Sequence, residues 1–198
     1  ANYSISSGEY SVSSTDVESA YQLISDPESQ TVDYILTGPS GVDDGTAKAK
    51  VTALTSIVEE RRDCLLFVSP RRANVVGVSN SGTQTENIEG FFKLLPSSSY
   101  VVFDSGYKYI YDKYNDLYRY VPCNGDVAGL CLQTTETAEP WFSPAGFQRG
   151  VLRNAIKLAY TPNKTQRDTL YSSRINPIVA FPGQGIVLYG DKTAQSFA

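Results

Sequence analysis

Residues 32–68 read VDYILTGPSGVDDGTAKAKVTALTSIVEERRDCLLFV, and the order of elements in this stretch decides the fold. Val32–Thr37 is a compact apolar run, broken by Gly38-Pro39-Ser40-Gly41 as a strand is broken by a turn. Thr46–Arg61 follows, with Val51, Leu54 and Val58 at i, i+3 and i+7, which is one apolar stripe of a helix. Cys64–Val68 is an unbroken apolar run between Asp63 and Pro70, the pattern of a strand covered on both faces. Strand, helix and strand in succession predict a right-handed parallel crossover.

On the N-terminal side, residues 1–15 are rich in Ser, Tyr and Gly and read as a loop or the remnant of a preceding domain. A short amphipathic helix is expected at Asp16–Ser25, stopped before Asp26-Pro27. On the C-terminal side, Ile88, Phe91, Phe92 and Leu95 mark a helix over Thr85–Leu95. Thr83-Gln84-Thr85-Glu86 reads as its capping box and Pro96 as its stop. Tyr100–Asp104 is the next strand. Tyr107–Val121 alternates, with Tyr107, Tyr109 and Tyr111 on one strand face and a turn at Asp112–Asp116, which predicts a hairpin with aromatic cross-strand pairs.

Beyond the hairpin, Asn124 is expected to cap a helix over Gly125–Gln133, and Pro144–Leu152 to form another. Asn154–Tyr160 reads as a strand. Thr165-Gln166-Arg167-Asp168 resembles a capping box that opens a helix to about Arg174. Ile178–Phe181 and Ile186–Tyr189 are strands around Pro182-Gly183-Gln184-Gly185. The expected class is α/β: a mixed β-sheet flanked by helices, with a β-hairpin insertion, in one domain over residues 1–198.

Composition narrows the function. The chain has 198 residues, 41% hydrophobic and 19% charged, a globular balance. No apolar run approaches the roughly 20 residues that span a bilayer, and no signal peptide is visible at Ala1–Tyr10. Net charge is −4, which argues against a nucleic-acid partner, since such partners favour basic stripes. Arg61-Arg62 and Arg71-Arg72 read as solvated surface pairs. The sequence has no Met and begins with Ala, so it is expected to be part of a longer or processed protein. It also has no His, which removes the Ser-His-Asp triad and every His-based metal site. Cys64, Cys123 and Cys131 lack CxxC spacing; Cys64 reads as a small core residue, and three unpaired thiols suit a reducing compartment.

Motifs for chemistry fail in detail. The loop Gly38–Thr46 lies where phosphate-binding loops lie, but it lacks GxxxxGK[ST] spacing and carries Asp43 and Asp44. Asp112, Asn115 and Asp116 suggest a calcium loop, yet the sixth and twelfth positions from Asp112 are Leu117 and Cys123. The neighbouring carboxylates Asp43-Asp44 and Glu59-Glu60 do not establish a glycosidase pair. Ser40 in GPSG is not a GxSxG elbow. Asn2-Tyr3-Ser4 and Asn163-Lys164-Thr165 match the glycosylation pattern, a short match that chance supplies often. The tyrosine cluster, which could stack bases or sugars, reads with this charge as sheet packing or a subunit contact. Trp141-Phe142-Ser-Pro-Ala-Gly146 holds the only Trp, read first as a core anchor and otherwise as an interface anchor. No catalytic, cofactor or metal residue emerges; Trp141, Phe142, Tyr107, Tyr109 and Tyr111 are the candidate interface or core anchors.

Three tracts carry a family likeness: YKYIYDKYNDLYRYVPCNGDVAGLCLQTTETAEPWFSPAGFQRG at Tyr107–Gly150, NPIVAFPGQGIVLYGDKTA at Asn176–Ala194 and RRDCLLFVSP at Arg61–Pro70. Together the chain resembles the inner core domain of contractile phage tail sheath proteins of the T4-like type; related cores occur in R-type pyocins and type VI secretion sheaths. The resemblance runs from about Val32 to Ala194. It implies a structural subunit and not an enzyme, without cofactors, found in the virion tail and assembled in the host bacterial cytoplasm. It implies homo-hexameric rings stacked helically around a tail tube, whose contraction drives the tube through the host envelope. Implied partners are other copies of itself, the tail tube protein, and baseplate and tail terminator proteins, with no nucleic acid and no membrane insertion. Terminal arms that add strands to a neighbour's sheet, and outer domains, are expected to lie outside this chain. The rival readings are another phage tail component, or an α/β enzyme with an unrecognised site.

Overall fold

The computed structural model describes residues 14–196; of the loop expected over residues 1–15, residues 1–13 lie outside them, and Ser14 and Thr15 are helical instead. Helix α1 spans Ser14–Gln22, two residues earlier than the apolar spacing predicts. The predicted crossover is present. Strand β1 (Tyr34–Leu36), helix α2 (Asp44–Arg61) and strand β2 (Leu65–Val68) follow in order, and β1 pairs β2 in parallel with Ile35 opposite Leu66. Asp43 starts α2, its carboxylate accepting the amide of Thr46 at 2.9 Å and the Thr46 hydroxyl. This satisfies free N–H groups that a helix start leaves open. The one-turn helix α3 (Arg72–Val75) and helix α4 (Ser81–Phe92) then return the chain to strand β3 (Val101–Asp104). Asn80 caps α4, accepting from the amides of Gly82 and Thr83. The helix therefore begins four residues before the expected Thr85, and Thr83 is not its cap. Asn as a cap needs no Glu three residues on, which is why the capping-box pattern pointed to the wrong residue.

Strands β4 (Tyr107–Asp112) and β5 (Leu117–Pro122) form the predicted hairpin, with Tyr109 opposite Tyr120 and Tyr111 opposite Tyr118. Helix α5 (Asn124–Thr137) follows. Asn124 is its first residue and not a cap; its side-chain amide instead reaches Thr37 Oγ1 at 3.0 Å and the Gly38 carbonyl at 2.7 Å. The helix expected over Pro144–Leu152 does not form. Gly146 takes φ +92°, its amide donates to the Leu188 carbonyl, and Leu188 donates to Gly150. Tertiary pairing with a later strand overrides the local pattern. A Cβ on Gly150 would stand 2.8 Å from the Leu188 carbonyl oxygen, so only glycine fits there. What remains as strand is β6 (Val151–Leu152) and β7 (Lys157–Leu158).

Helix α6 (Lys164–Ser172) opens with a capping box between Asn163 and Gln166, not Thr165 and Asp168. The Asn163 side chain accepts the Gln166 amide at 2.9 Å. Strands β8 (Ile175–Asn176), β9 (Ile178–Phe181) and β10 (Gly185–Leu188) complete the chain.

The α/β class stands, but the hairpin does not enter a mixed central sheet. The central sheet, in the order β1-β2-β3-β8, is parallel throughout. The antiparallel strands form two separate sheets, β6-β10-β9 and β5-β4-β7. The reason lies at the end of β3: its free edge is taken by β8, so the chain leaves through Ser105-Gly106 and pairs with itself beyond the sheet.

Two cores flank the central sheet. Leu66, Val68, Val101 and Phe103 pack with Val51, Leu54, Val58, Ile88, Phe91, Phe92 and Leu170 from α2, α4 and α6. Phe67 points the other way, to Val127 and Leu130 of α5 and to Ile178, Ile186 and Leu188. Alternation along β2 feeds both layers, as expected for a strand without a solvent face.

Candidate assembly surface

At the carboxyl edge of the parallel strands, side chains converge where α/β proteins commonly bind ligands. Here they bind one another. The Ser69 hydroxyl donates to Asp104 at 2.7 Å and accepts the Asn124 amide at 2.9 Å, while Gly106 donates its amide to Asp104 at 2.8 Å. Ser40 donates to the Ser69 carbonyl, and Ser105 accepts the Ile178 amide. Burial pushes the Asp104 carboxyl up to about 7, against the pull of the Gly106 and Ser69 hydrogen bonds. This network joins β2, β3, α5 and β9 into one rigid body. The Gly38–Thr46 loop is likewise closed: Lys50 donates to the Thr37 and Pro39 carbonyls, and Asp43 occupies the helix start where a phosphate would sit. Asp112 spends its carboxylate on Asn115, Tyr114 and Arg119, which makes residues 112–116 a hairpin turn.

The five anchor candidates do not form one cluster. Tyr107 lies in the core at 2% exposure, Tyr109 is half-buried and Tyr111 is 47% exposed. They share a strand face, but the hairpin runs out of the body, so burial falls along it. Tyr109 stacks on Tyr118 at 5.5 Å, and Tyr111 meets Tyr118 at 5.0 Å. The Tyr111 hydroxyl donates to Asp116 at 2.6 Å. Tyr114 at the tip is almost fully exposed.

Trp141 is 78% exposed, which overturns its reading as a core anchor. The Phe142 amide donates to the Glu139 carbonyl at 3.0 Å, closing a turn with Pro140 and Trp141 at its two central positions. The Pro-Trp sequence presents the indole outward because α5 has ended and no described residue covers the turn. Arg149 stacks on Phe142 at 5.3 Å and donates to the Ser143 carbonyl, bracing the turn from behind.

Beside this turn lies a groove of about 530 Å³ between α6 and the end of β10, lined by residues that include Ala145, Lys164, Arg167, Tyr171, Tyr189 and Asp191. Of its lining, Tyr189 packs against Phe147 and Phe181, with centroids 5.1–6.0 Å apart among the three rings. The Arg167 guanidinium lies 5.5 Å from the Phe181 ring and 5.8 Å from that of Tyr189. The sequence reading passed over this cluster. The sequence offers little signal for it, because the hairpin register sets Phe181 opposite Gly185 and Tyr189 beside Pro177.

The sequence profile described as "Phage tail sheath protein central domain" matches residues 16–194, nearly the whole chain. The chain belongs to the phage tail sheath protein family. The tail sheath protein of Vibrio phage KVP40 is 41% identical over 187 residues, spanning 87% of this chain and 28% of that protein. That of Enterobacteria phage T4 is 40% identical, over 93% of this chain and 29% of its own length. The sheath chain thus spans less than a third of the length of these relatives. Its fold matches the contracted helical sheath of the anti-feeding prophage with a TM-score of 0.65 and 18% identity, over 96% of this chain and 46% of that one.

For a sheath chain the surfaces outrank the interior. The three thiols are free, with Cys64 and Cys123 buried and Cys131 half-buried. Burial pushes the Cys131 thiol up to about 11. Of the two arginine pairs read as solvated, Arg61 is 6% exposed. It donates to the Ile24 and Gln30 carbonyls at 2.6 and 2.9 Å and pairs with Asp63 at 2.9 Å. Arg71 pairs with Asp44. No group of His, Cys, Asp or Glu able to hold a metal occurs among the described residues.

Proposed function

We propose that this chain is the core of a contractile tail sheath subunit. Copies of the subunit stack as six-fold rings in a helix around a tail tube, and contraction of that lattice drives the tube through the host envelope. The family match over residues 16–194 carries this reading. The rigid two-core body supports it, because a lattice that stores energy in packing needs subunits that move as units and do not deform. The proposed partners are other copies of the subunit, the tube, the baseplate and the tail terminator. The proposed location is the virion tail, after assembly in the host cytoplasm, and the core acts without cofactor or catalysis. Residues 1–198 act as one domain of the subunit.

Negative-stain electron microscopy of the full-length parent, expressed alone and with its tube protein, tests the reading. Striated tubes or stacked six-fold rings are expected. A parent that stays monomeric in both preparations overturns it.

A further inference from the structure

We propose that the Arg167 groove receives the Trp141 turn of a second copy of this chain. The inference rests on the sheath reading and deepens it by naming one contact. Three observations carry it. The first is the turn itself. Trp141 stands on a Pro-containing turn braced by Arg149, so its indole is displayed in a fixed place with little ordering left to lose on binding. Exposed Trp on a rigid support is the residue type that dominates interface energies.

The second is charge. Residues 120–148 contain Asp126, Glu136 and Glu139 and no Lys or Arg. Residues 149–174 contain Arg149, Arg153, Lys157, Lys164, Arg167 and Arg174 against the single acid Asp168. Glu136, in the last turn of α5, and Glu139, just beyond it, are exposed and precede Trp141 closely in the chain. The third is the groove. Its volume suits one large side chain and its flanks. The Arg167 guanidinium lies against two rings and makes no ion pair among those found between the described residues, so its N–H groups are available to a carboxylate. Asp168 and Asp191 also line the groove. Asp191 accepts the Tyr171 hydroxyl at 3.2 Å; both carboxylates repel an incoming one, which leaves Lys164 and Arg167 as its partners.

The indole of the second copy then packs between Tyr171 and Tyr189, and Glu136 or Glu139 meets Arg167. In a helical stack, where neighbours are related by rotation and rise and not by a two-fold axis, this contact runs head to tail. A contact of that kind leaves each copy with a free turn and a free groove for the next, which is how open helical assemblies grow.

The chain with Trp141→Ala contains no tryptophan, so a trace of the intact wild-type chain supplies the only indole, on its braced turn, in a titration with it. A saturable blue shift of the Trp141 fluorescence is expected. Arg167→Glu, and the milder Arg167→Gln, added to the Trp141→Ala chain should weaken it at least tenfold with the circular dichroism unchanged. A Trp141-bearing chain carrying Glu136→Lys and Glu139→Lys should regain binding to the Trp141→Ala chain with Arg167→Glu. No saturable shift up to millimolar Trp141→Ala chain, or equal binding by that chain and both of its Arg167 variants, overturns the proposal. The sheath reading fails by a different result: a full-length wild-type parent that forms neither rings nor tubes. Tubes together with no fluorescence shift overturn the groove alone.

Discussion

The helix-covered side of the central sheet and the tyrosine hairpin are both built from aromatic residues, and they use them in opposite ways. On the first, Phe91 and Phe92 are at most 2% exposed, and Phe92 stacks on Phe103 at 4.4 Å. On the second, Tyr111, Tyr114 and Tyr118 are all more exposed than buried or nearly so, and Tyr118 packs on Tyr109 and Tyr111. Rings that fill a core hold the body together. Rings stacked along a two-stranded projection give a stiff surface whose remaining faces are free. A phenol suits that place because its hydroxyl stays in water while the ring packs.

The largest effect should come from the covered side. Phe92→Ala removes a buried ring between α4 and β3 and is expected to cost about 3–5 kcal/mol. Urea denaturation should show the midpoint falling with little change in slope. An unchanged midpoint would mean that the covered side and the hairpin do not differ in the way described.

Next comes the carboxyl edge, where a polar network is buried in place of rings. The Asp104 carboxyl, pushed up to about 7 by burial, holds its proton more tightly folded than unfolded, where its ordinary value is 3.8. Its contribution to stability is therefore full below about 3.8 and is lost as pH rises through about 7. The groups around it are Asp126, which raises it further and is paired to Lys108 at 2.7 Å, and the hydroxyl of Ser69. Asp104→Asn should flatten the fall in melting temperature between pH 4 and 7. The same slope in both proteins would assign it to another group.

Much of this was legible in the sequence, and the reasons differ by region. The β1-α2-β2 crossover, the α4 stripe and the hairpin follow from apolar period and turn residues, which act locally. The helix expected at 144–152 failed because the decisive contact is Gly150 against Leu188, thirty-eight residues away. Arg61-Arg62 looked like a solvated pair because adjacency in sequence says nothing of burial. On α2 the last turn aims Arg61 inward, where it ties the chain at Ile24 and Gln30. Arg61→Ala should accordingly raise amide exchange over residues 24–33 while leaving β2 and β3 protected. Uniform exchange across the chain would show that Arg61 holds the whole body and not that segment. Trp141 was misread for a similar reason: a large aromatic is usually inside, and only the turn geometry shows that this one is not. The candidate surface was therefore the least legible part, since it is defined by what the fold leaves uncovered.

The smallest effect should come from the hairpin. Tyr118 touches Tyr109 and Tyr111 across the strands and is 55% exposed. Cross-strand pairs of this kind contribute about 0.2–1 kcal/mol, so Tyr118→Ser should shift the melt only slightly. The Asp112–Arg119 bridge and the turn at Asp116, at φ +51°, still fix the register. If the stacked ring serves the surface and not the fold, the same substitution should weaken association of the full-length parent more than it lowers the melt. Sedimentation velocity beside calorimetry on one preparation reads both. A loss of stability as large as that of Phe92→Ala would place the hairpin in the core instead, and would remove the distinction between rings that hold the body and rings that face outward.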